Sequence, residues 1–313
     1  MLHGVVADLV VVAVCAAGLY VGAVSLVGGA TTLASWLGVP GIVVGLTVVA
    51  VGTSTPELVV TVAAATAGEP SISVGNVVGS NVFNLGFILG GLALARGVPA
   101  RSPLAERDAL VLLGAGVLVT VALVDGTISR VEAGLLVAVW VAYILFLLRA
   151  GGTSSGSSAG RPGIDRRTLG RAVAKVVLGL VVLVLAGRFL VAAATDLARL
   201  VGVSEWAIGT TVVAAGTSMP ELATSAVASA RGEHGVSVGN LLGSDISNLL
   251  LVLGVAGVVT PLSAQGPVVT AMGLLVATVA VTAVLLWTGR RLSRPEGALL
   301  IAVAVGRYAL TLG

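Results

Sequence analysis

The sequence has few charged residues and lacks the side chains that most enzyme and metal sites use. Only 10% of its 313 residues are charged, and it contains one cysteine, one lysine and two histidines. The single Cys15 excludes a disulfide framework or cysteine-based metal site, and the scattered His3 and His234 make no zinc site. Lys175 follows an alanine, so no G-x-x-x-x-G-K-[ST] phosphate loop is present. No H-E-x-x-H motif occurs either, and we expect no catalytic residues and no cofactor.

Hydrophobic residues dominate the chain. They make up 57% of it, with a mean hydropathy of +1.11, which is typical of a polytopic membrane protein. Because residues 5–27 form a long apolar run followed by equally apolar ones, we interpret them as a membrane helix and not as a cleaved signal peptide. The apolar runs near or above the roughly 20 residues that span a bilayer lie at about 5–27, 37–66, 72–95, 108–125, 130–148, 171–193, 203–230, 236–260, 267–288 and 296–312.

Two segments of the chain are copies of each other. Residues 45–90 and 209–254 align without a gap, and 24 of their 46 positions are identical. The offset of 164 residues maps the first predicted helix onto the sixth and the fifth onto the tenth. An odd number of spans in each half inverts the second half, which is the pattern of an inverted-topology repeat. The sequence therefore predicts an all-α polytopic membrane protein with ten transmembrane helices in two inverted five-helix repeats.

A polar stretch separates the two halves. Residues 149–168 have GGTSSGSSAG at their centre, a composition typical of a flexible linker. We predict an N-terminal repeat over 1–148, a cytoplasmic linker over 149–168 and a C-terminal repeat over 169–313. The linker is too short for a folded regulatory domain.

The basic residues predict the orientation in the membrane. Thirteen of the 17 Lys and Arg residues lie on the side of the predicted linker and four on the other, so both termini should face outward in the cell membrane. The net charge of +3 therefore reflects the topology in the membrane and does not indicate nucleic-acid binding. We expect the protein to be surrounded by membrane lipid. Trp36, Trp140, Trp206 and Trp287 lie near predicted span ends and are interpreted as interfacial anchors.

Of the 14 acidic residues, 11 lie in or near predicted loops and helix ends, and three lie deeper inside predicted membrane spans. Glu57 and Glu221 occupy equivalent positions of the two copies, and Asp245 aligns with Asn81. An ionised carboxylate at mid-bilayer costs about 3 kcal/mol, and no Arg or Lys lies deep enough in the four repeat helices to pair with it. A bound metal ion or proton is then the natural counter-charge.

The residues around the glutamates favour a hard cation. Gly52-Thr53-Ser54-Thr55-Pro56-Glu57 and Gly216-Thr217-Ser218-Met219-Pro220-Glu221 each place a proline just before the glutamate, which frees a backbone carbonyl one turn earlier. Hydroxyls, carbonyls and a carboxylate form the all-oxygen shell that Ca²⁺ and Na⁺ prefer.

The next predicted helix of each half supplies a second set of oxygens. Ser80 and Asn84 are four residues apart and share one helix face, as do Ser244 and Asn248. Asp245 points about 100° away from Ser244. It is either a third carboxylate of the site, or it faces a water-filled path or a neighbouring helix. The alternative for the Ser and Asn residues is hydrogen bonding between helices.

The motifs G-T-S-x-P-E-L and G-N-x-x-G-S-[ND]-x-x-N, in two inverted copies, resemble the α-repeats of the cation/calcium exchanger superfamily, and most closely the prokaryotic sodium/calcium exchangers. The resemblance covers both repeats and the five-plus-five plan of the whole chain. It implies that Glu57 and Glu221 are the central Ca²⁺ ligands and that the first and sixth helices slide across the core. It also implies that the Ca²⁺ and Na⁺ sites are lined by Thr53, Ser54, Thr217, Ser218, Ser80, Ser244, Asn84 and Asn248, with the carbonyls of Ala50 and Ala214.

The chain departs from that family at two kinds of position. Members often have aspartate where this chain has Asn84 or Asn248, and usually asparagine where it has Asp245.

We expect a secondary antiporter that exchanges Ca²⁺ for Na⁺ by alternating access, with no required protein partner. The alternative is a proton/calcium or other cation/proton exchanger of the same architecture, although the G-N-x-x-E motif of proton/calcium exchangers is absent. A passive channel and a membrane-embedded hydrolase are the rivals from other classes.

Overall fold

The computed structural model describes residues 2–99, 103–151, 166–202, 212, 214–263, 267–288 and 291–312. In these residues the chain is almost entirely helical, and two of its helices are broken near the middle. The helices are α1 (Leu2–Leu37), α2 (Gly41–Thr53 and Thr55–Thr66), α3 (Pro70–Arg96), α4 (Pro103–Ala122), α5 (Arg130–Gly151), α6 (Arg166–Leu200), α7 (Ala214–Thr217 and Met219–Ala230), α8 (His234–Val259), α9 (Pro267–Thr288) and α10 (Arg294–Leu312).

The helices follow the predicted spans, although α1 continues ten residues beyond the predicted end of the first span at residue 27. Within the described residues, α1, α3, α5, α6, α8 and α9 are long and apolar enough to cross a membrane, and the bent helix α2 is a seventh. Helices α4, α7 and α10 coincide with the other three predicted spans. The first part of the predicted span 203–230 lies largely outside the described residues.

Four two-residue strands show the internal symmetry. They are β1 (Val98–Pro99), β2 (Thr127–Ile128), β3 (Leu262–Ser263) and β4 (Arg291–Leu292). Strand β1 pairs antiparallel with β4, and β2 pairs antiparallel with β3. Moving 164 residues along the chain converts β1 into β3 and β2 into β4, so each sheet is the repeat equivalent of the other.

The starts of α5 and α10 repeat the same capping contacts. Glu132 Oε2 accepts hydrogen bonds from the backbone N–H and hydroxyl of Ser129, at 2.8 and 2.7 Å. Glu296 accepts the equivalent pair from Ser293 at 2.6 and 2.7 Å. Each S-x-x-E sequence is a capping box that fixes where its helix begins, so the two halves have the same local structure at equivalent positions.

Helices α1 and α6 form a long pair. Each has about 35 residues and therefore a length near 50 Å, which exceeds the roughly 30 Å hydrocarbon core and requires tilt. Glycines bring the two backbones together: a Cβ on Gly22 would lie 3.0 Å from the carbonyl oxygen of Gly179, and one on Gly29 would lie 2.7 Å from that of Ala172.

The buried apolar side chains fall into two clusters. The larger one joins α2–α5 with α7–α10. The smaller one joins α1 and α6 with residues of α2, α7 and α8. Helix α8 lies at the centre, and residues 236–250 are buried on every face. The fold is thus a core of eight helices with the α1–α6 pair packed against it.

Two details differ from the sequence-based expectations. Helix α5 continues to Gly151 and α6 begins at Arg166, so both ends of the predicted linker 149–168 are helical, and its centre lies outside the described residues. Trp140 lies in the middle of α5, and its indole N–H donates to the hydroxyl of Ser247 over 3.2 Å. The interpretation of Trp140 as an interfacial anchor was therefore wrong, while Trp206 lies outside the described residues.

Candidate cation site

The breaks in α2 and α7 place the two glutamates. Ser54 (φ −77°, ψ 8°) and Ser218 (φ −87°, ψ 9°) leave the helical conformation, and a new helix starts one residue later. Pro56 and Pro220 lie in the first turn of these second halves, where a missing N–H is tolerated. The two halves of α2 meet at 45°. Glu57 and Glu221 thus follow directly after the breaks, and both are fully buried.

Each glutamate is hydrogen-bonded by the opposite repeat. Oε1 of Glu57 accepts from the hydroxyl of Ser218 over 3.2 Å. Oε1 of Glu221 accepts from the hydroxyl of Ser54 over 3.4 Å and from that of Ser244 over 3.3 Å. These reciprocal contacts bring α2, α7 and α8 to one place, as the sequence predicted for Glu57, Glu221, Ser54, Ser218 and Ser244.

The threonines of the two motifs lie beside these serines. The hydroxyl of Thr53 is 3.3 Å from that of Ser244, and the hydroxyl of Thr217 is 3.4 Å from that of Ser80. All four side chains are buried. The carbonyl of Ala50 accepts the N–H of Ser54 at 3.0 Å and the hydroxyl of Ser244 at 3.4 Å. Ala214 begins the short helix Ala214–Thr217.

Asn76 and Asn240 hold the glutamate-bearing helices in place. The amide nitrogen of Asn76 donates to Thr61 Oγ1 at 3.0 Å and contacts the carbonyl of Glu57 at 3.5 Å. Asn240 does the same to Ser225 Oγ at 2.9 Å and to Glu221 O at 3.5 Å. The Oδ1 of Asn240 also accepts from the hydroxyl of Thr53 at 3.1 Å. The two amide nitrogens thus brace each glutamate-bearing helix against the helix that follows it.

Helices α3 and α8 cross at a set of amides and one carboxylate. The amide nitrogen of Asn84 donates to Asp245 Oδ1 at 2.9 Å, and that of Asn248 donates to Asn81 Oδ1 at 3.0 Å. Asn81 also donates to the backbone carbonyl of Asp245 at 3.1 Å. Asn81 was missed as a site residue, although its alignment with Asp245 was a signal. A π-helical segment lies at this crossing in each helix, Phe83–Leu89 and Asn248–Val252, as is common at functional sites.

Five oxygen atoms at this location have no hydrogen-bond partner in the part of the chain that the structure describes. Their side chains all have 0% exposure. A buried acceptor without a partner is costly, and carboxylates more so than amides. No Lys or Arg forms an ion pair with these carboxylates within the described residues. The atoms are Glu57 Oε2, Glu221 Oε2, Asp245 Oδ2, Asn84 Oδ1 and Asn248 Oδ1.

The chemistry of these atoms fits a hard cation. All five are oxygens; the three carboxylate oxygens supply charge and the two amide oxygens are neutral ligands. No group of three or more His, Cys, Asp or Glu side chains among the described residues is arranged to hold a metal ion. A cation bound here therefore depends on the neutral oxygens as well as on the glutamates.

Glycines set how closely α8 approaches α2. A Cβ on Gly239 would lie 2.6 Å from the carbonyl oxygen of Ile42, and one on Gly243 would lie 2.7 Å from the Cα of Leu46. Both glycines therefore allow the close packing of α8 on α2. Gly75, the repeat equivalent of Gly239, would place its Cβ in open space within the described part of the chain. Residue 206, the repeat equivalent of Ile42, lies outside the described residues.

A fourth buried carboxylate was not singled out from the sequence. Asp108 lies in the second turn of α4 with 0% exposure, and Arg107 contacts its Oδ1 at 2.7 Å. The guanidinium of Arg107 also lies over the ring of Phe146, 5.1 Å from its centroid. Asp108 was interpreted as a helix-end residue because the apolar run begins there, but α4 begins five residues earlier, at Pro103.

The sodium/calcium exchanger protein family matches this chain over residues 8–149 and 171–310. These two stretches cover both repeats and most of the sequence. The chain belongs to this exchanger family.

Similar proteins with related names come from bacteria and archaea. The inner membrane protein YrbG of Escherichia coli is 34% identical over 245 residues, which cover 75% of each chain. The sodium/calcium exchanger MaX1 of Methanosarcina acetivorans is 30% identical and covers 87% of this chain and 89% of its own. The solved structure of the sodium-calcium exchanger NCX_Mj soaked with 10 mM Na⁺ and zero Ca²⁺ has a TM-score of 0.86 at 26% identity, with 99% of each chain covered. The exchanger fold is thus shared over the whole length.

Proposed function

We propose that this protein is a secondary active antiporter that moves Ca²⁺ across the membrane in exchange for Na⁺. The observation that carries the proposal is the set of five buried oxygens at the meeting point of α2, α3, α7 and α8 that have no hydrogen-bond partner within the described residues. Oxygens in this state need a cation to offset the cost of their burial. MaX1 and NCX_Mj are sodium/calcium exchangers by name, which supports these two ions as the substrates.

The glutamates supply the charge for Ca²⁺. Glu57 and Glu221 together carry two negative charges that one Ca²⁺ neutralises. Each has one oxygen held by the serine of the opposite repeat and one with no partner in the described part of the chain. Thr53, Thr217, Ser80, Ser244, the carbonyls of Ala50 and Ala214, and the asparagines of the crossing supply neutral oxygens.

Exchange follows from the electrostatics of the site. A site with its cation bound is nearly neutral and can be transferred between the two membrane faces, whereas a bare pair of carboxylates at membrane depth is strongly disfavoured. Ca²⁺ and Na⁺ compete for overlapping oxygens. The site can therefore change the membrane face to which it is open only when it holds one of the two ions. The inward Na⁺ gradient then drives Ca²⁺ outward.

The division into an eight-helix core and an α1–α6 pair supports alternating access. The site lies in the core, and the pair packs against it through a separate apolar cluster. Leu180 of α6 lies against Gly52, and Val191 of α6 lies against Gly216, so α6 covers the breaks of both repeats. Sliding of α1 and α6 over the core would open the site to one side and then the other. We place both termini on the outer side, from the excess of basic residues at the opposite face.

The test is uptake of ⁴⁵Ca²⁺ into proteoliposomes loaded with Na⁺ and diluted into Na⁺-free buffer, with pH and membrane voltage clamped. Uptake that requires internal Na⁺ supports the proposal. Uptake that ignores Na⁺ but follows a pH gradient would contradict it and assign proton-coupled exchange, with Glu57 and Glu221 as the proton carriers. Flux without any counter-ion would assign a channel.

A further inference from the structure

Three arginines converge where the end of α3 meets the start of α10. The guanidinium of Arg294 donates to the backbone carbonyl of Ala95 over 3.4 Å. The guanidinium of Arg291 lies over Gly97, 3.6 Å from the position that a Cβ would occupy there. Arg96 lies in the chain between these two contacts, and all three arginine side chains are exposed. Three positive charges are thus gathered around residues 95–97.

No carboxylate neutralises these arginines in the part of the chain that the structure describes. None of the three belongs to an ion pair there. Glu296, two residues after Arg294, is occupied by the backbone N–H and the hydroxyl of Ser293, at 2.6 and 2.7 Å. Because charges of one sign repel each other at short range, an anion bound among the arginines would stabilise the arrangement.

The repeat-equivalent pair of strands, β2 and β3, lacks this charge. Arg130 is the equivalent of Arg294, and it makes the same kind of contact with a backbone carbonyl over 3.4 Å. The positions of the other two arginines are taken there by Thr260 and Thr127. The arginine that binds a carbonyl is therefore common to both sheets, and the two additional arginines are not required to build a sheet of this kind.

The protein surface beside the arginines is apolar. Leu94 of α3 and Leu299 of α10 are nearly half exposed, and Trp287 at the end of α9 is largely exposed. Helices α3 and α10 pack closely here, since a Cβ on Gly297 would lie 2.5 Å from the backbone nitrogen of Leu94. Exposed leucines of a membrane protein contact acyl chains, and tryptophan lies at the level of the headgroups. A ligand with an anionic head and apolar chains matches both parts of this surface.

We infer that Arg96, Arg291 and Arg294 bind the phosphate of an anionic phospholipid whose acyl chains lie against the apolar surface of α3 and α10. Guanidinium groups suit this ligand, because their planar fork donates parallel hydrogen bonds to phosphate oxygens. Clusters of basic residues at the end of a membrane helix recognise anionic headgroups in this way. The inference does not depend on which ions the protein exchanges, since the arginines are exposed and the cation site is buried.

Binding of ¹⁴C-labelled dioleoylphosphatidylglycerol to the purified full-length protein in neutral detergent tests the inference. The double variant Arg96→Thr with Arg291→Thr gives this sheet the residues of its repeat equivalent, and we expect its Kd for the lipid to be weakened about tenfold. The matched control is Arg166→Thr with Arg167→Thr. It removes the same charge from exposed positions at the start of α6, on the same predicted face of the membrane, and its Kd should stay within about twofold of the wild type. Unlabelled dioleoylphosphatidylcholine and inorganic phosphate should not displace the lipid.

Equal weakening in the two double variants would show a general attraction to the basic face and overturn the inference. Displacement by phosphatidylcholine would assign binding to the apolar surface alone, and displacement by inorganic phosphate would assign a soluble anion; either result would also overturn it. If the first double variant does not elute as a monodisperse species, Arg96→Thr replaces it, because the exposed Arg96 side chain makes no hydrogen bond within the described residues. This single change must weaken the Kd about threefold, and an unchanged Kd would contradict the site.

Discussion

The hydroxyl of Ser218 donates to Oε1 of Glu57 over 3.2 Å and so joins the broken helices of the two repeats. Ser54 makes the equivalent contact to Glu221 over 3.4 Å. Neither glutamate is positioned by its own repeat alone, because the serine that holds it comes from the other one. The site therefore exists only when both halves are packed together.

These contacts predict unequal effects of two equivalent serines. Glu221 Oε1 also accepts from Ser244, at 3.3 Å, so it keeps a donor when Ser54 is removed. We expect Ser218→Ala to weaken Ca²⁺ binding about tenfold, which corresponds to the loss of about 1.5 kcal/mol from a hydrogen bond to a charged group. Ser54→Ala should weaken it less. Calorimetric titration of the purified variants with Ca²⁺ compares the two, and equal losses would contradict the asymmetry.

Removal of either glutamate charge should abolish transport. In Glu57→Gln or Glu221→Gln one negative charge remains against the two positive charges of Ca²⁺, and the loaded site is no longer neutral. We expect no ⁴⁵Ca²⁺ uptake above that of empty liposomes, with unchanged elution in size-exclusion chromatography.

The matched controls for this pair are the equivalent glutamates at the starts of α3 and α8. Glu69 and Glu233 occupy N-cap positions and make no capping hydrogen bond with their side chains. Glu69→Gln and Glu233→Gln should transport Ca²⁺ as the wild type does. Retained Ca²⁺ flux in Glu57→Gln or Glu221→Gln would sink the proposed mechanism.

The fold could be predicted from the sequence because the hydropathy pattern and the internal duplication both extend over long stretches of the chain. The predicted helix ends were less accurate, because Arg107 and Asp108 are polar and nevertheless lie inside α4. The meeting of Ser54 with Glu221 followed from their shared motif. The amide contacts of Asn81 and the inward position of Trp140 did not, because a helical pattern shows which residues share a face but not which helix lies opposite that face.

A glycine-to-alanine change should lower stability where the added Cβ would meet the backbone of another helix. A Cβ on Gly239 would lie 2.6 Å from the carbonyl oxygen of Ile42, so Gly239→Ala must push α8 away from α2. Overpacking of this kind costs about 1 to 3 kcal/mol, and we expect a lower thermal unfolding midpoint. Gly114→Ala in α4 is the control, since Gly114 is exposed and its Cβ meets nothing within 4 Å among the described residues. Equal midpoints for the two variants in a fluorescence-detected melt would show that this packing is wrong.

The Arg107–Asp108 pair predicts a stability effect that is separate from transport. Asp108 is fully buried and Arg107 is 27% exposed, at an N–O distance of 2.7 Å. Asp108→Ala leaves a largely desolvated guanidinium without its carboxylate, which should cost about 3 kcal/mol. The control is Asp196→Ala, because the Arg199–Asp196 pair has a longer distance of 3.4 Å and both side chains are at least half exposed. Such a surface pair contributes less than about 1 kcal/mol. We therefore expect a lower unfolding midpoint for Asp108→Ala and almost none of this shift for Asp196→Ala.

The fraction of Asp108→Ala that remains folded should exchange Ca²⁺ at the wild-type rate, because the pair lies outside the cation site. A rate reduced in proportion to folded protein would be consistent with this separation, whereas a loss of transport in fully folded protein would place Asp108 in the ion pathway.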